Sequence, residues 1–394
     1  MTVNLVDPIS QDSWRALRGD RSLRHLSSAC LPLRQRAGEC TACRAACPAD
    51  ALLMTPEGLA LHADCLGCGR CVPACPMGAL ELPDSVPEIG MDAVTAVRVD
   101  CRRVPAALRS DPAVPCLGAL DAPALLRLRA QAGERAIELI DRGWCENCPA
   151  GGGEHPAVAA RASAQALLAE MDVPAELWPR LASIPLPESV ALPCGAGLGG
   201  PTLSRRAFFG RMAQPVRELA IDAEPASRTR PRQAARARPS VARQRLHAAL
   251  DTLDAGRRLP ASAYPRLTAS ARCRDHQGCV QVCPTGALYA YREADGGGVR
   301  FDAAACIACG LCERHCPEQA LKLAPGEAAP TADRSQQPWG ADAPLTRHAQ
   351  RACSTCGTAY GVPHGEADPG LCDPCRKSRH FAQDMFRQCF GAHP

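Results

Sequence analysis

With 394 residues, 25 cysteines and a net charge of +4, the chain is long enough for two or three domains and needs no covalent staples to build a core. The first thirty residues carry no apolar run of the secretory kind, so the cysteines are expected as free thiolates in a reducing cytoplasm rather than as a disulfide framework. No uninterrupted apolar stretch approaches the ~18 residues of a membrane helix, and only 4 % of residues are aromatic, leaving few platforms for stacked bases. A membrane span and a nucleic-acid partner are both set aside, while peripheral association with a membrane stays compatible.

The first element in the chain is a cysteine-rich block over 25–84. Cys65, Cys68, Cys71 and Cys75-Pro76 form a C-x2-C-x2-C-x3-C-P run followed by the apolar MGALEL. Thiolates this close on one turn wrap a metal cluster, the proline ends the turn, and the apolar segment covers the group. Upstream, Cys40, Cys43 and Cys47-Pro48 fill the last three positions of a second run whose first position falls on Ala37. Cys30 can take that place if residues 31–39 loop out; otherwise it is an ordinary buried thiol.

Residues 92–155 read strand, helix, strand: a strand ending at Cys101, a helix after Cys116, and a strand running into Cys145 and Cys148. Ligands converge at such strand ends in an open α/β sheet. Cys145 and Cys148 alone make a bare C-x2-C, which also suits a redox dithiol or half of a zinc site. Residues 156–222 are expected to be helical, from the apolar spacing in AVAARASAQALLAEM and AELWPRLASI. Within them Ser204-Arg205-Arg206-Ala207-Phe208-Phe209 has the form of a twin-arginine signal without the apolar core that export needs. An Arg/Pro-rich linker with seven arginines follows over 223–245, read as a soluble tether.

The second cysteine-rich block spans 265–325, where Cys306, Cys309, Cys312 and Cys316-Pro317 form another complete run. Its upstream partner is Cys273, His276, Cys279 and Cys283-Pro284, with histidine in the second ligand position. The last unit, 351–376, places Cys353, Cys356, Cys372 and Cys375 in a C-x2-C-x15-C-x2-C pattern, the spacing of a zinc ribbon, with a rubredoxin-like iron as the rival. Cys194 and Cys389 have no partner at ligand spacing.

The paired runs resemble the dicluster bacterial ferredoxins. That resemblance covers about 120 residues in two modules and implies two short antiparallel hairpins and two helices about a pseudo-twofold. It also implies crossed 4Fe-4S ligand sets, in which each cluster takes its fourth thiolate from the Cys-Pro of the other run. The sets are then Cys65, Cys68, Cys71 with Cys47; Cys30, Cys40, Cys43 with Cys75; and Cys306, Cys309, Cys312 with Cys283. For the remaining site three readings stand: a 4Fe-4S cluster with His276 ligation, a 3Fe-4S cluster on Cys273, Cys279 and Cys316, or no cluster. Two regular clusters are expected, and four if the irregular sites fill. The middle string PCLGALDAPALLRLRAQAGERAIELIDRGWCENC resembles the delta iron-sulfur subunit of methyl-viologen-reducing hydrogenases, which would make Cys101, Cys116, Cys145 and Cys148 ligands of a 2Fe-2S cluster. The SRRAFF start with the C-terminal block resembles the accessory ferredoxin of periplasmic nitrate reductase systems.

The expected fold is therefore α+β: two ferredoxin-like modules flanking a small α/β cysteine-containing domain and a helical segment, with a zinc ribbon at the C-terminal end. The expected function is relay of single electrons to or from a redox partner protein, a larger oxidoreductase of the molybdopterin or hydrogenase type, without a catalytic residue of its own. A maturation factor docking on a client metalloenzyme and a cluster-based redox sensor are the alternatives.

Overall fold

The structure, a computed structural model, describes residues 15–17, 23–34, 40–55, 58–83, 85–86, 89, 96–151, 154–187, 190, 239–253, 259–293, 296–326, 344–363 and 367–391. Cys194, the SRRAFF element and linker residues 223–238 lie outside them. The chain divides into two compact units at Pro260–Ala261.

The first unit opens with a ferredoxin-like module. Strands β1 (Arg15–Ala16) and β2 (Arg24–His25) pair antiparallel with each other, and β2 pairs with β5 (Leu80–Glu81). Strands β3 (Leu52–Thr55) and β4 (Gly58–Leu61) form a local hairpin. Between them lie α1 (Leu31–Arg34), α2 (Ala42–Ala45) and α3 (Cys71–Ala74). α3 stops where proline follows: Cys75, before Pro76, is extended at φ −77°, ψ 110°, because the proline ring disfavours the helical region for its predecessor. Leu23, Leu52, Val72, Leu80 and Leu82 close the core around Cys71. Only one of the two expected hairpins is local; the other pairing joins β2 to the last strand of the module, β5, a long-range closure that the spacing of the runs does not reveal.

The middle domain is a four-stranded parallel sheet in the order β7 (Ala113–Val114), β6 (Ala96–Cys101), β8 (Ala136–Asp141), β9 (Arg180–Ser183). Helices α4 (Ala122–Ala132) and α5 (Val158–Glu170) are its crossovers. Asp121 caps α4 by accepting from Ala124 N at 2.8 Å, satisfying one of the helix's orphan donors. Val97, Val99, Leu125, Leu128, Ile137 and Leu139 form a core with almost no exposed surface.

Two expectations change here. AELWPRLASI is not a second helix but a 3-10 turn followed by β9. Pro179 holds Trp178 extended at φ −71°, ψ 148°, and Leu181 then packs on the core of the sheet. The α/β domain thus continues past residue 155. The end of the arginine-rich linker is also folded: α6 (Val241–Leu253) lies against α4 and donates from Ala242 N to Met77 O at 3.4 Å.

The second unit repeats the ferredoxin arrangement. β10 (Arg266–Ala269) pairs with β13 (Leu321–Ala324), and β11 (Leu288–Glu293) forms a hairpin with β12 (Gly296–Phe301). α7 (Gly278–Val282) and α8 (Leu311–Arg314) carry the cysteine runs. β12 continues the sheet into a hairpin of β14 (His348–Ala352) and β15 (Ala359–Pro363), through Gly297 paired with His348. The close approach requires glycine at 298, where a Cβ would stand 2.2 Å from Thr346 O. α9 (Asp373–Phe390) ends the described chain.

Candidate metal centres

In the N-terminal module, Cys47, Cys65, Cys68 and Cys71 line one apolar cavity with Leu52 and Leu66. Burial pushes the Cys71 thiol up, and Cys68, Cys65, Cys43 and Cys47 add to the shift. Ala51 N donates to Cys47 Sγ at 3.3 Å and Gly67 N to Cys65 Sγ at 3.4 Å. Such N–H···S bonds stabilise thiolate over thiol and orient metal-bound sulfur.

Cys30, Cys40, Cys43 and Cys75 form the neighbouring group. The Cys30 thiol is pushed up to about 11, first by burial and then by Cys75, Cys43 and Cys40. Cys30 reaches them from the end of the 3-10 turn Ser27–Ala29 and the start of α1, so residues 31–34 form a helical turn rather than a loop. Ala79 N donates to Cys75 Sγ at 3.2 Å.

In the middle domain, Cys101 at the end of β6, Cys116 after β7, and Cys145 and Cys148 after β8 line one pocket with Arg142 and Trp144. Burial pushes Cys116 and Cys145 up to about 12, and each is raised further by cysteines across the pocket. Gly118 N donates to Cys116 Sγ at 3.4 Å. Two residues not anticipated from the sequence join them: one ligand atom each of Asp141, Cys145 and His155 lie within 4.8 Å of one another. A lone histidine seven residues beyond a C-x2-C carries no sequence signal; the turn through Gly151 brings it back.

In the C-terminal module, Cys306 is pushed up to about 12 and Cys312 to about 11, in each case chiefly by burial and partly by Cys283 and Cys309. The other group holds Cys273, Cys279 and Cys316 in a cavity that His276 also lines. Both ring nitrogens of His276 face carboxylates: Nε2 is 3.4 Å from Glu318 Oε1, and Nδ1 is 4.0 Å from Asp373 Oδ2.

Cys353, Cys356, Cys372 and Cys375 offer sulfurs that all lie within 4.8 Å of one another, with Cys356 and Cys372 at 3.6 Å. Among the described residues this is the one all-cysteine group so compact. A tetrahedral ion at ~2.3 Å from each sulfur demands such spacing; among the described residues no three cysteines of the ferredoxin modules come so close together. Backbone N–H donors from Cys372 and Cys356 hold the Cys353 thiol down at about 6. Cys389 is exposed on α9.

Buried thiols that raise one another's pKa cannot all ionise unless cations are placed between them. The apolar walls, the convergent sulfurs and the N–H···S donors fit iron-sulfur groups in the ferredoxin sites.

Comparison with known proteins agrees with this chemistry. Residues 38–85 match the LdpA Fe-S cluster-binding domain family, and residues 299–321 match a 4Fe-4S binding domain family. Over 45 residues the chain is 42 % identical to the formate dehydrogenase iron-sulfur subunit of Wolinella succinogenes, an alignment covering 11 % of this chain and 22 % of that protein. The chain therefore spans about a fifth of that relative's length. It carries iron-sulfur-binding domains of ferredoxin type. Among the described residues no helix is long and apolar enough to cross a membrane.

Proposed function

We propose that the chain is a multi-centre electron-transfer protein that relays single electrons to or from a larger cytoplasmic oxidoreductase of the molybdopterin or hydrogenase type. The observation that carries this reading is the partition of the eight N-terminal cysteines into two crossed groups, with Cys30 in the group of Cys75, Cys43 and Cys40 and Cys47 in the cavity of Cys65, Cys68 and Cys71. An isolated structural ion would not need two such groups side by side. The formate dehydrogenase iron-sulfur subunit supports a partner of the oxidoreductase class.

When bound, an iron-sulfur cluster takes up and gives back one electron at a potential set by burial and hydrogen bonds to sulfur. The chain's residues supply those settings. Leu52, Leu66 and Leu82 exclude water from the first cavity, while Ala51 N, Gly67 N and Ala79 N stabilise the sulfur charge. We assign 4Fe-4S clusters to Cys47/Cys65/Cys68/Cys71, Cys30/Cys40/Cys43/Cys75 and Cys283/Cys306/Cys309/Cys312. Cys273, Cys279 and Cys316 hold a three-thiolate cluster, with His276 turned to its carboxylates. Cys101, Cys116, Cys145 and Cys148 hold a smaller iron-sulfur group, and the compact C-terminal four-cysteine group holds zinc.

The test is anaerobic purification with iron, sulfide and zinc analysis and EPR during a redox titration. The expected result is one zinc, and loss of one 4Fe-4S signal in Cys30→Ser with the complement of Cys65, Cys68 and Cys71 retained. A chain purified without iron sinks the proposal.

A further inference from the structure

The loop that carries Cys65, Cys68 and Cys71 is also the part of the N-terminal module that meets the middle domain. Cys68 shares one buried cluster with Cys116 and Ala150, flanked by Leu66 and Cys148. Cys116 is thus raised in part by Cys68, a cysteine of another group. The two loops are pinned on both sides of this contact. Arg70 Nη1 donates to Ala150 O at 3.0 Å and also to Gly151 O, and Arg103 Nη2 donates to Leu66 O at 3.1 Å. Between the pins the approach leaves no room for a side chain: Gly69 sits at φ +78°, and a Cβ there would lie 2.9 Å from Ala119 Cβ. A tethered pair of domains would need none of these contacts.

We propose that Cys68 and Cys116 form an electron junction between the N-terminal ferredoxin module and the middle domain. This rests on reading both cysteine groups as iron-sulfur centres. With each cysteine holding its own centre, the two side chains would lie between the two metal groups, and the dry packing around them would spare solvent reorganisation. One electron leaves the centre on Cys47, Cys65, Cys68 and Cys71, which is oxidised; the centre on Cys101, Cys116, Cys145 and Cys148 gains it and is reduced. No bond is made or broken. The electron originates in a low-potential one-electron donor to the N-terminal module. Cys43 of the Cys30 group packs on the hydrophobic core that contains Cys71, so the Cys30 group adjoins the Cys65 group. The middle domain is then filled from within the chain.

EPR of the full, iron-loaded chain tests this. The middle signal is identified by its loss in Cys148→Ser and followed while the N-terminal centres are poised oxidised or dithionite-reduced. The expected result is a middle signal that broadens and relaxes faster when the Cys65 group becomes paramagnetic, and that loses this response in Cys65→Ser, which lacks that centre. In Arg70→Ala with Arg103→Gln, at full iron content, the broadening falls. A middle centre that is filled but indifferent to the state of the N-terminal module overturns the junction alone. A middle site without iron overturns both the junction and the reading on which it rests.

Discussion

Arg142 closes on Asp100 at the foot of the middle pocket, Nη2 on Oδ2 and Nε on Oδ1, with 6 % of the arginine side chain exposed and none of the aspartate. Both groups make further hydrogen bonds. Asp100 accepts from Cys101 N at 2.8 Å and Ser110 N at 2.9 Å, and Arg142 donates to Ile184 O at 3.2 Å and Leu108 O at 3.1 Å. The pair therefore ties the end of β6, which delivers Cys101, to the residue just after β8, which leads to Cys145. Asp100→Ala leaves a buried guanidinium without its partner, a change that costs about 3–5 kcal/mol. We expect a matching fall in denaturant stability of the first unit and loss of iron from the middle site. Replacing both residues with apolar ones of similar volume should recover most of the stability but not the iron, because the Cys101 N–H has lost its acceptor. Equal stability of Asp100→Ala and the parent would refute the role.

His155 stands beside Cys145 with its Nδ1 accepting from Ala157 N at 3.3 Å, which leaves the proton of the neutral ring on Nε2. Nε2 is buried and has no hydrogen-bond partner among the described residues. One ring nitrogen of His155 lies within 4.8 Å of Cys145 Sγ, and a buried donor beside a cluster sulfur stabilises the reduced, more negative state and raises the potential. His155→Leu should keep the iron count and lower the midpoint potential of the middle centre in a redox titration. An unchanged or higher potential would show that the ring does not address the sulfur.

His276 occupies a ligand position in the motif but directs its nitrogens to Glu318 and Asp373. His276→Ala should leave the iron content of the second unit intact, while Cys273→Ser should remove one centre. Loss of that centre in His276→Ala would restore histidine ligation. Metal content with EPR of the two variants decides between them.

The regular runs could be read locally, because Cys65 to Cys75 and Cys306 to Cys316 each lie within a short stretch closed by proline, and both stretches fall in segments that match iron-sulfur-binding families. The strands and helix that place Cys101, Cys116 and Cys145 were legible from their apolar pattern and punctuating glycines. What escaped was settled by long-range contact. β9 was hidden in a sequence with helical spacing because parallel pairing with β8 decides its state. His155, the Arg142–Asp100 pair and the meeting of Cys68 with Cys116 each join residues that only the folded backbone makes neighbours.

The metal-free chain should be sensitive to alkali in a way the loaded chain is not. Burial raises Cys116, Cys145, Cys279 and Cys306 from 9.0 to about 12, and Cys30 from 9.0 to about 11. In the unfolded chain these thiols ionise near 9; in the folded metal-free chain they keep their protons to higher pH. Between those values the folded state binds more protons than the unfolded one, so stability falls as pH rises. The contribution is fully present below pH 9 and is lost progressively as pH climbs toward about 12. In the loaded chain the sulfurs are already thiolates bound to metal, so they hold no protons to lose. Urea unfolding of the metal-free chain should accordingly give a near-constant midpoint from pH 7 to pH 8.5 and a falling one at pH 9.5 and 10.5, while the anaerobically loaded chain shows no such fall above pH 9. A metal-free midpoint that stays level or rises above pH 9 would mean that these thiols are not held in the apolar surroundings that make them ready to bind a cluster.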